Sequence, residues 1–424
     1  MFPRYLESLL EELLHEFRVL YVTGPRQSGK TTLARLIATR TGMEYLTLDD
    51  PAILASALSD PHGLIRSLAA RKVVLDEFQY VPGLIPAIKE ASDNQRSDER
   101  GKFLLTGSAD IFRSAKAQEA LPGHMARLEL LPLSVSEMSG QPRNLVDFLS
   151  AGDYSAGENR VEAIAPVSRE QLAALVMHGG YPEVQDKSPR AKQIWFKSYI
   201  EGRLYKDFES LYAARGDYHS KIQALVPYLA GLCGNLLKYA NVGNDLGLDD
   251  RVVKAYIEIL DLMFIVRRVP SWLKSHSKRE ASQMPKLHFV DTGLACYLLG
   301  LRTEEQLLGS QYYGGLLESL MFMELSKHAA WAQEQADLYH FRDNRKNEVD
   351  MVLEKSNGRI IGIEIKASSS VKIQDFNGLV KLAEFAGDRF ERGVLFYSGN
   401  AILPFKIGDA NFHALPIGLI TCRV

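Results

Sequence analysis

Between Arg18 and Leu133, short apolar runs alternate with stretches in which apolar residues recur at helical spacing. An apolar run bounded by turn residues predicts a strand, and strands that alternate with helices predict a parallel sheet covered on both faces. The strand candidates are VLYVTG, EYLTLD, KVVLDE, KFLLTG and RLELLPL. We therefore predict an α/β fold with a parallel sheet for this part of the chain.

The pattern changes after this α/β part. Residues 139–168 are rich in Gly, Ser, Pro, Asn and Asp, which predicts a loop or linker. Helical periodicity dominates from Arg169 to about Gly300, and a long helix is predicted around Leu316–Lys327. Further strands are predicted at YHFR, EVDMVLE, IIGIEIKA and GVLFYSG. The predicted organisation is an α/β core at 1–138, a linker at 139–168, a helical domain at 169–300 and an α/β domain at 301–424.

Length, composition and charge indicate a globular protein with more than one domain and no strong net charge. With 424 residues the chain exceeds the size of a single hydrophobic core, so more than one domain is expected. A hydrophobic content of 46% and a charged content of 24% are typical of a globular protein in water. Because the net charge is only -2, binding to nucleic acid would depend on local basic patches.

Cysteine usage and the N-terminal segment favour a cytoplasmic location. The cysteines Cys233, Cys296 and Cys422 are scattered and odd in number, which favours a reducing compartment over a disulfide framework. The segment MFPRYLESLLEELLHEFRVLYV has glutamates among its leucines, which predicts an amphipathic helix and not a signal peptide. The longest uncharged stretch, Ile222–Leu237, is shorter than the roughly 20 residues of a membrane span. We therefore expect no membrane association.

The segment GPRQSGKT, Gly24–Thr31, has the spacing of a phosphate-binding Walker A loop. It follows the strand VLYVT and opens the helix TTLARLIATR, a context that distinguishes the motif from a chance Gly-rich turn. In such a loop the backbone N–H groups point at phosphate oxygens, Lys30 reaches the β- and γ-phosphates, and Thr31 ligates Mg²⁺. The residues predicted to bind ATP are Gly24, Pro25, Arg26, Gln27, Ser28, Gly29, Lys30, Thr31 and Thr32.

The segment KVVLDEF, Lys72–Phe78, predicts the second part of an ATPase site. Its strand ends at Asp76, and open α/β sheets bind ligands at the carboxyl ends of their strands. Asp76 is predicted to hold Mg²⁺ through water, and Glu77 to orient or deprotonate the attacking water. The alternative is a solvated strand end, which the Walker A loop disfavours.

For other polar residues near this edge of the sheet, the sequence allows either a role at the nucleotide or a purely structural role. Thr106 and Ser108, in FLLTGSAD, either sense the γ-phosphate or form a strand-ending turn. Arg127 is either an arginine finger for the nucleotide of a neighbouring subunit or a surface cation.

The helical middle contains a helix–turn–helix pattern with a winged-helix-like layout. Asp249 and Asp250 can cap a helix with apolar residues at helical spacing, and FIVRRVP and KLHFV could form a wing. Because the charge on the second helix is mixed, a structural or ATPase-coupling role is favoured over direct reading of DNA. The basic stretch from Arg267 to Arg279 is a better candidate for phosphate contacts, but a solvated loop is the favoured interpretation. The polar residues predicted to be exposed on the second helix are Arg251, Lys254, Glu258 and Asp261.

Charged residues interrupt a predicted hairpin in which EVDMVLE and IIGIEIKA flank an Asn-Gly turn. Strand alternation places Glu364 and Lys366 on one face, and the hairpin can bring Asp350 next to Glu364. Adjacent carboxylates repel each other unless a cation lies between them, which predicts Mg²⁺ bound by Asp350 and Glu364. Lys366 is predicted to stabilise the charge of a phosphate, and Glu318 to add an acid from the preceding helix. The alternative is an exposed strand with alternating charges in a salt bridge.

Motifs that are spread along nearly the whole chain support a family resemblance. They are GPRQSGKTTL, LTLDDP, VVLDEFQYVPGL, LLTGSA, ARLELLPLSVSE, HGGYPEV, NVGNDLGLDDRVVKAYIEIL, PKLHFVDTGLACYLLG, GGLLESLMFMEL, FRDNRKNEVDMVLE and IGIEIKAS. Together they resemble a prokaryotic family of AAA+ ATPases. The resemblance implies an AAA+ core that uses ATP and Mg²⁺ and that can form a homo-oligomer.

The acidic residues near the C-terminus support a second resemblance. Glu318, then Asp350, then Glu364 and Lys366 in the spacing E-x-K, resemble the catalytic signature of the PD-(D/E)xK nucleases. This implies a restriction-endonuclease-like C-terminal fold, with Mg²⁺ as cofactor and nucleic acid, DNA in particular, as partner. The leading hypothesis is an ATPase whose nucleotide state gates a Mg²⁺-dependent nuclease or DNA-binding domain. The alternative is an ATPase switch whose nuclease-like domain binds without cleaving.

Overall fold

The computed structural model describes residues 2–93, 100–108, 125–154, 167–211, 218–275 and 284–421. The chain divides into two compact units: Pro3–Pro132 with Leu262–Phe264, and Leu133–Asp261 with Ile265–Val424. The regions predicted as separate helical and C-terminal domains thus share the second unit. A main-chain hydrogen bond joins these two regions: the N–H of Trp272 donates to the carbonyl oxygen of His340 over 2.6 Å.

The first unit is built on the predicted parallel sheet. All of its strand pairings are parallel, in the order β2-β3-β4-β1-β5. Strands β1, β3 and β4 are buried throughout, as expected for apolar runs in a sheet covered on both faces. The strands are β1 (Val19–Thr23), β2 (Glu44–Thr47), β3 (Val73–Asp76), β4 (Phe103–Gly107) and β5 (Met125–Glu129).

The helices of the first unit follow directly from local sequence. They are α1 (Leu6–Glu16), α2 (Lys30–Thr41), α3 (Pro51–Ser59), α4 (Pro61–Ser67) and α5 (Leu84–Asp93). The predicted amphipathic α1 buries Leu6, Leu10 and Leu14, which lie one turn apart. Asp50 and Asp60 cap α3 and α4, each ahead of a proline in the first turn.

The second unit begins with helices, including one in the region predicted as a linker. The helices are α6 (Val135–Ser139), α7 (Leu145–Ala151), α8 (Arg169–His178), α9 (Pro189–Tyr199), α10 (Tyr205–Leu211) and α11 (Tyr218–Ala230). The linker prediction for 139–168 is wrong at α7, because Asn144 caps this helix and its apolar face is buried. Residues 155–166 of the predicted linker lie outside the described residues.

The predicted helix–turn–helix consists of α12 (Tyr239–Leu246), left-handed Gly247 and α13 (Asp250–Leu262). The side chain of Asp249 caps α13 by accepting the N–H of Arg251 over 2.8 Å. At the position of the predicted wing, β8 pairs antiparallel with both β7 and β6. These strands are β6 (Asn235–Leu236), β7 (Val266–Val269) and β8 (Lys286–Phe289). Lys278 and Arg279 of the basic stretch lie outside the described residues.

Asp261 was predicted to be exposed, and this prediction is wrong. Asp261 is buried and pairs with Arg268, whose Nε lies 3.2 Å from Asp261 Oδ2. Arg268 also lies 3.5 Å from the carboxylate of Glu258. This arginine therefore neutralises acids of its own unit, because a carboxylate that enters the interior requires a nearby cation.

The C-terminal part of the second unit contains a mixed sheet, in the order β13-β14-β12-β11-β10-β9. Its strands are β9 (Ala336–Arg342), β10 (Glu348–Lys355), β11 (Ile360–Ile365), β12 (Phe390–Tyr397), β13 (Leu403–Ile407) and β14 (Ala410–Pro416). The predicted β10–β11 hairpin is present, and Gly358 supplies the turn with φ +77°. The helices are α14 (Thr292–Leu298), α15 (Glu304–Leu308), α16 (Tyr313–Ala329) and α17 (Asn377–Ala386).

Of the helices within the described ranges, none combines the length and the apolar content needed to cross a bilayer.

Candidate functional site

The predicted phosphate loop, Gly24–Gly29, joins β1 to α2 at the carboxyl edge of the parallel sheet. Gly24 requires glycine, because it has φ +153° and an added Cβ would lie 2.2 Å from the carbonyl oxygen of Leu130. The buried hydroxyl of Ser28 has no hydrogen-bond partner among the described residues. A buried polar atom without a partner, in a loop of this shape, fits a site that is completed by a ligand. The remaining predicted ATP-binding residues, Pro25, Arg26, Gln27 and Thr32, lie in this loop and in the first turn of α2.

Lys30 places a positive charge inside this loop. Its side chain is buried, and Nζ donates to the carbonyl oxygens of Gly24 over 3.0 Å and Pro25 over 2.7 Å. Burial lowers the pKa of Lys30 to about 8, although the carboxylates of Glu77 and Asp76 act in the opposite direction. Its hydrogen-bond partners are neutral carbonyl groups, so they do not neutralise the ammonium group. The positive charge of Lys30 is therefore available to an anionic ligand.

Asp76 meets the predicted Mg²⁺ ligand Thr31 at the end of β3. The hydroxyl of Thr31 donates to Asp76 Oδ2 over 2.9 Å, and the hydroxyl of Tyr45 donates to the same oxygen over 2.5 Å. Thr106 donates from its hydroxyl to the other oxygen, Oδ1. This acid is thus held in place by hydroxyl groups from α2, β2 and β4.

Glu77 follows Asp76 in a backbone conformation that few residues adopt. Its φ of +59° is in the left-handed region, where a non-glycine residue is strained. Its N–H donates to the hydroxyl of Thr106 over 3.3 Å, and the Gln79 amide donates to its carboxylate. Gln79 in turn accepts the N–H of Ser108 over 3.0 Å. These hydrogen bonds fix the carboxylate of Glu77 relative to the ends of β3 and β4.

Several residues of this site were not identified from the sequence. Arg4 donates to the carbonyl oxygens of Ser28 over 2.5 Å and Leu131 over 2.6 Å, so it supports the phosphate loop from before α1. Tyr45 and Gln79, described above, were also missed. Arg4 and Tyr45 lie outside the motifs recognised in the sequence. Gln79 lies within VVLDEFQYVPGL, and its closeness to Glu77 could have indicated a role.

Arg127 lies on β5, where its guanidinium is 3.4 Å from the carboxylate of Glu129. This pairing favours the surface-cation interpretation, because a finger must reach the nucleotide of a neighbouring subunit. The role of Arg127 as a finger stays a prediction.

In the second unit, acids predicted from separate segments come together. Glu318 is on α16, Asp350 on β10 and Glu364 on β11. Between the first two lies Lys286 of β8, whose Nζ is 2.6 Å from Glu318 Oε1 and 3.4 Å from Asp350 Oδ1. Burial alone would lower the pKa of Lys286, but the carboxylates of Glu318 and Asp350 outweigh it and raise the pKa. The cation between these carboxylates is therefore a lysine of the same chain. We call Lys286, Glu318, Asp350 and Glu364 the acidic cluster.

Asp350 and Glu364 are adjacent, as the hairpin predicted. Asp350 Oδ2 accepts the N–H of Ile365 over 2.9 Å. Burial raises the pKa of Glu364 well above its ordinary range, and the neighbouring Asp350 raises it further. Burial and the neighbouring Asp350 thus both favour the protonated form of Glu364, and protonation of one partner is the other way in which two close carboxylates can coexist.

Lys366 does not join these acids. Its side chain is 43% exposed, and Nζ lies 3.5 Å from Asp375 Oδ1. The lysine that contacts Glu318 and Asp350 is Lys286. The sequence offered no indication of this, because Lys286 begins the apolar run KLHFV in the predicted wing.

The donor atoms of the acidic cluster do not fit a divalent metal ion. Across the described residues, no group of three or more His, Cys, Asp or Glu side chains is arranged to hold a metal ion. The oxygens of Glu318 and Asp350 that face each other are already paired with the Lys286 ammonium. The residues present therefore do not fit the Mg²⁺ site predicted from Asp350 and Glu364.

Three separate stretches of the chain match known protein families. Residues 16–139 match the family described as AAA domain. Residues 169–305 and 313–420 match families described as Domain of unknown function (DUF8612) and Domain of unknown function (DUF4143). The first unit is thus an AAA-type P-loop domain. The restriction-endonuclease-like assignment of the C-terminal part is not among these matches.

Similar proteins extend over most of the chain. It is 28% identical over 370 residues to Uncharacterized protein Mb2031c of Mycobacterium bovis and to Uncharacterized protein Rv2008c of Mycobacterium tuberculosis. Each alignment covers 86% of this chain and 74% of the relative.

Solved structures with partial similarity include two ATP-related proteins. The Walker-type ATPase PABY2304 of Pyrococcus abyssi has a TM-score of 0.43 and 15% identity, over 70% of this chain and 96% of its own. AMPPCP-bound DnaA from Aquifex aeolicus has a TM-score of 0.25 and 12% identity, over 60% of this chain and 85% of its own. At these scores the family match alone carries the assignment of the AAA domain.

Proposed function

We propose that this chain is a Mg²⁺-dependent ATPase of the AAA+ type, in which the first unit carries out hydrolysis. The observation that carries the proposal is the contact between the Thr31 hydroxyl and the Asp76 carboxylate, 2.9 Å apart, beside the buried Lys30. These are the groups that a P-loop ATPase uses to hold the metal and the β- and γ-phosphates.

The phosphates would be bound by the loop and by Lys30. Positive φ values at Gly24 and Gly29 shape a loop whose N–H groups can face an anion at the start of α2. On binding, the Lys30 ammonium would exchange its carbonyl partners for phosphate oxygens. Thr31 and Asp76 would hold Mg²⁺, which supplies charge stabilisation to the phosphates when it is bound.

Glu77 would act as the general base. Its carboxylate would accept a proton from a water molecule while the water oxygen bonds to the γ-phosphorus and the bond to ADP breaks. Gln79 and Thr106 would position Glu77, because they bind its carboxylate and its N–H. The strained backbone supports this role, since strain of this kind concentrates at functional sites.

Phosphate release by the full-length protein tests the proposal. The wild type should release phosphate from ATP in the presence of Mg²⁺, and Lys30→Ala should not. Lys89→Ala, which removes a lysine from α5 of the same unit, should behave as the wild type. Equal turnover by Lys30→Ala and the wild type would contradict the proposed site.

For the second unit we propose a nuclease-like module that responds to nucleotide state without cleaving, with DNA as the favoured partner. This proposal is supported by the Lys286 ammonium between Glu318 and Asp350, and by the ion pair of Lys366 with Asp375. The second candidate, a Mg²⁺-dependent nuclease gated by the ATPase, is favoured by the convergence of Glu318, Asp350 and Glu364 in the expected order.

Cleavage assays separate these two candidates. We expect plasmid, linear and single-stranded DNA to remain intact with ATP and Mg²⁺. Cleavage that Asp350→Asn abolishes would establish the nuclease instead.

A further inference from the structure

Lys286 is held rigidly where it meets the acids. It lies on β8, the central strand of its small sheet, and pairs with Leu236 on one side and Val269 on the other. Its side chain is only 6% exposed. A strand fixed on both edges cannot slide without breaking its ladder of hydrogen bonds, so the position of the ammonium group is set by the fold.

We propose that Lys286 is a resident countercation that excludes divalent metal ions from the acidic cluster. A metal ion bound by Glu318 and Asp350 would have to lie between their carboxylates. The ammonium group is already there, 2.6 Å from one carboxylate and 3.4 Å from the other. Two cations cannot share this space, because like charges at such distances repel strongly in a buried site.

The other oxygens of Asp350 and Glu364 lie in close surroundings. Asp350 Oδ2 accepts the N–H of Ile365 over 2.9 Å. Glu364 packs against the start of α17 so closely that a Cβ at Gly378 would lie 2.7 Å from its Oε1. A hard cation such as Mg²⁺ requires near-octahedral oxygen ligands with retained waters, and beside the Lys286 ammonium this packing leaves them little room.

The fold also makes Lys286 difficult to displace. Removal of the ammonium from between Glu318 and Asp350 would leave buried carboxylates without a partner, which is strongly unfavourable. A metal must therefore compete with a lysine whose charge is already stabilised in place. This inference concerns the second unit alone and does not depend on the proposed ATPase activity. If experiment rejects one of the two proposals, the other is unaffected.

Titration of the full-length, nucleotide-free protein with Mn²⁺, followed by electron paramagnetic resonance, tests the proposal. The wild type and Glu364→Gln should bind Mn²⁺ identically, because the cluster contributes no site. Lys286→Met should gain one Mn²⁺ site per chain that the wild type lacks. Adding Glu364→Gln to Lys286→Met should remove the gained site.

Lys355→Met is the matched control. Lys355 is also a mostly buried lysine of this unit, and its Nζ lies 3.1 Å from Glu391. Its substitution removes an ion-paired lysine away from the cluster, so Mn²⁺ binding should not change. A gain in Lys355→Met equal to that in Lys286→Met would overturn the proposal.

Thermal unfolding is a second readout, because Mn²⁺ should raise the melting temperature of Lys286→Met but not that of the wild type. If Lys286→Met folds poorly, the wild type alone still tests the proposal. If the wild type itself has a Mn²⁺ site that Glu364→Gln or Asp350→Asn removes, the cluster holds a metal beside Lys286 and the proposal is wrong. If the folded Lys286→Met gains no site, the proposal is equally wrong.

Discussion

The hydroxyl of Thr31 donates a 2.9 Å hydrogen bond to Asp76, which joins the helix after the phosphate loop to the end of a buried strand. Tyr45 and Thr106 donate to the same carboxylate from neighbouring strands. Asp76 is thus oriented by the protein before any nucleotide binds. An acid that is already oriented needs little reorganisation when charge develops at the phosphate, which favours catalysis.

Thr106→Val should slow ATP hydrolysis more than it weakens ATP binding. The hydroxyl of Thr106 binds both Asp76 and the N–H of Glu77, so its loss frees the acid and the base together. We expect kcat to fall by at least about tenfold, which corresponds to about 1.4 kcal/mol of lost transition-state stabilisation, with KM little changed.

Tyr45→Phe is the control for this substitution. It also removes a hydroxyl donor from Asp76 but leaves Glu77 untouched, so its kcat should fall less. Steady-state phosphate release measures both variants. A larger effect in Tyr45→Phe would show that Thr106 does not position Glu77.

ATP binding should weaken as the pH rises above about 8. Burial lowers the pKa of Lys30 to about 8, so the free protein loses this charge at a lower pH than an ordinary lysine would. Phosphates favour the charged form, and binding above that pH must therefore take up a proton. The affinity should fall by up to about tenfold per pH unit between the two pKa values. Titration with a fluorescent nucleotide from pH 7 to 9 measures this effect.

Lys30→Arg provides the comparison, because its guanidinium remains charged over this range. Its affinity should be weaker overall but independent of pH. A wild-type affinity that stays constant from pH 7 to 9 would show that Lys30 does not titrate at this site.

Acid should destabilise the second unit through His328. Its Nδ1 accepts the N–H of Leu145 over 2.7 Å, and burial lowers its pKa to about 4 from an unfolded value of 6.5. The unfolded chain therefore binds more protons between these values. The stabilisation is complete above pH 6.5 and is lost as the pH falls towards 4. The loss from this residue should approach about 1.4 kcal/mol per pH unit.

His328→Gln isolates this contribution, because an amide oxygen can accept the same hydrogen bond without titrating. Urea unfolding from pH 7 to 4, followed by the fluorescence of Trp331 beside His328, provides the measurement. The variant should lose less stability than the wild type over this range. Parallel losses in both proteins would exclude the histidine as the cause.

Two adjacent glycines of α16 should respond oppositely to substitution by alanine. A Cβ at Gly315 would lie 2.1 Å from the carbonyl oxygen of Cys233, whereas a Cβ at Gly314 would meet nothing within 4 Å. Gly315→Ala should therefore cost about 1–3 kcal/mol of unfolding free energy through overpacking. Gly314→Ala should add up to about 1 kcal/mol, because alanine favours the helix. Equal effects in chemical denaturation would contradict this packing.

Local motifs could be predicted from the sequence, and contacts between distant segments could not. The strand before Gly24, the strand ending at Asp76 and the turn at Gly358 were all predicted, because each depends on residues that are close in sequence. Lys286 was missed, because its partners Glu318 and Asp350 lie on other elements and its own segment reads as an apolar strand. The helix after Asn144 was missed because its polar surroundings resemble a linker.

The phosphate loop could be predicted from the sequence to a greater extent than the acidic cluster. A phosphate loop is built from consecutive residues, so spacing alone predicts much of its geometry. The acidic cluster depends on three-dimensional packing, and Lys366, next to Glu364 in the motif, pairs with Asp375 instead. Binding of DNA, homo-oligomer formation and a cytoplasmic location stay predictions.

The most direct test of the central claim is ATP binding and single-turnover hydrolysis by Glu77→Gln beside the wild type. If Glu77 deprotonates the attacking water, the variant should bind ATP with wild-type affinity and hydrolyse it at least about 100-fold more slowly. If Glu77→Gln hydrolyses ATP at the wild-type rate, the proposed site and its mechanism are contradicted.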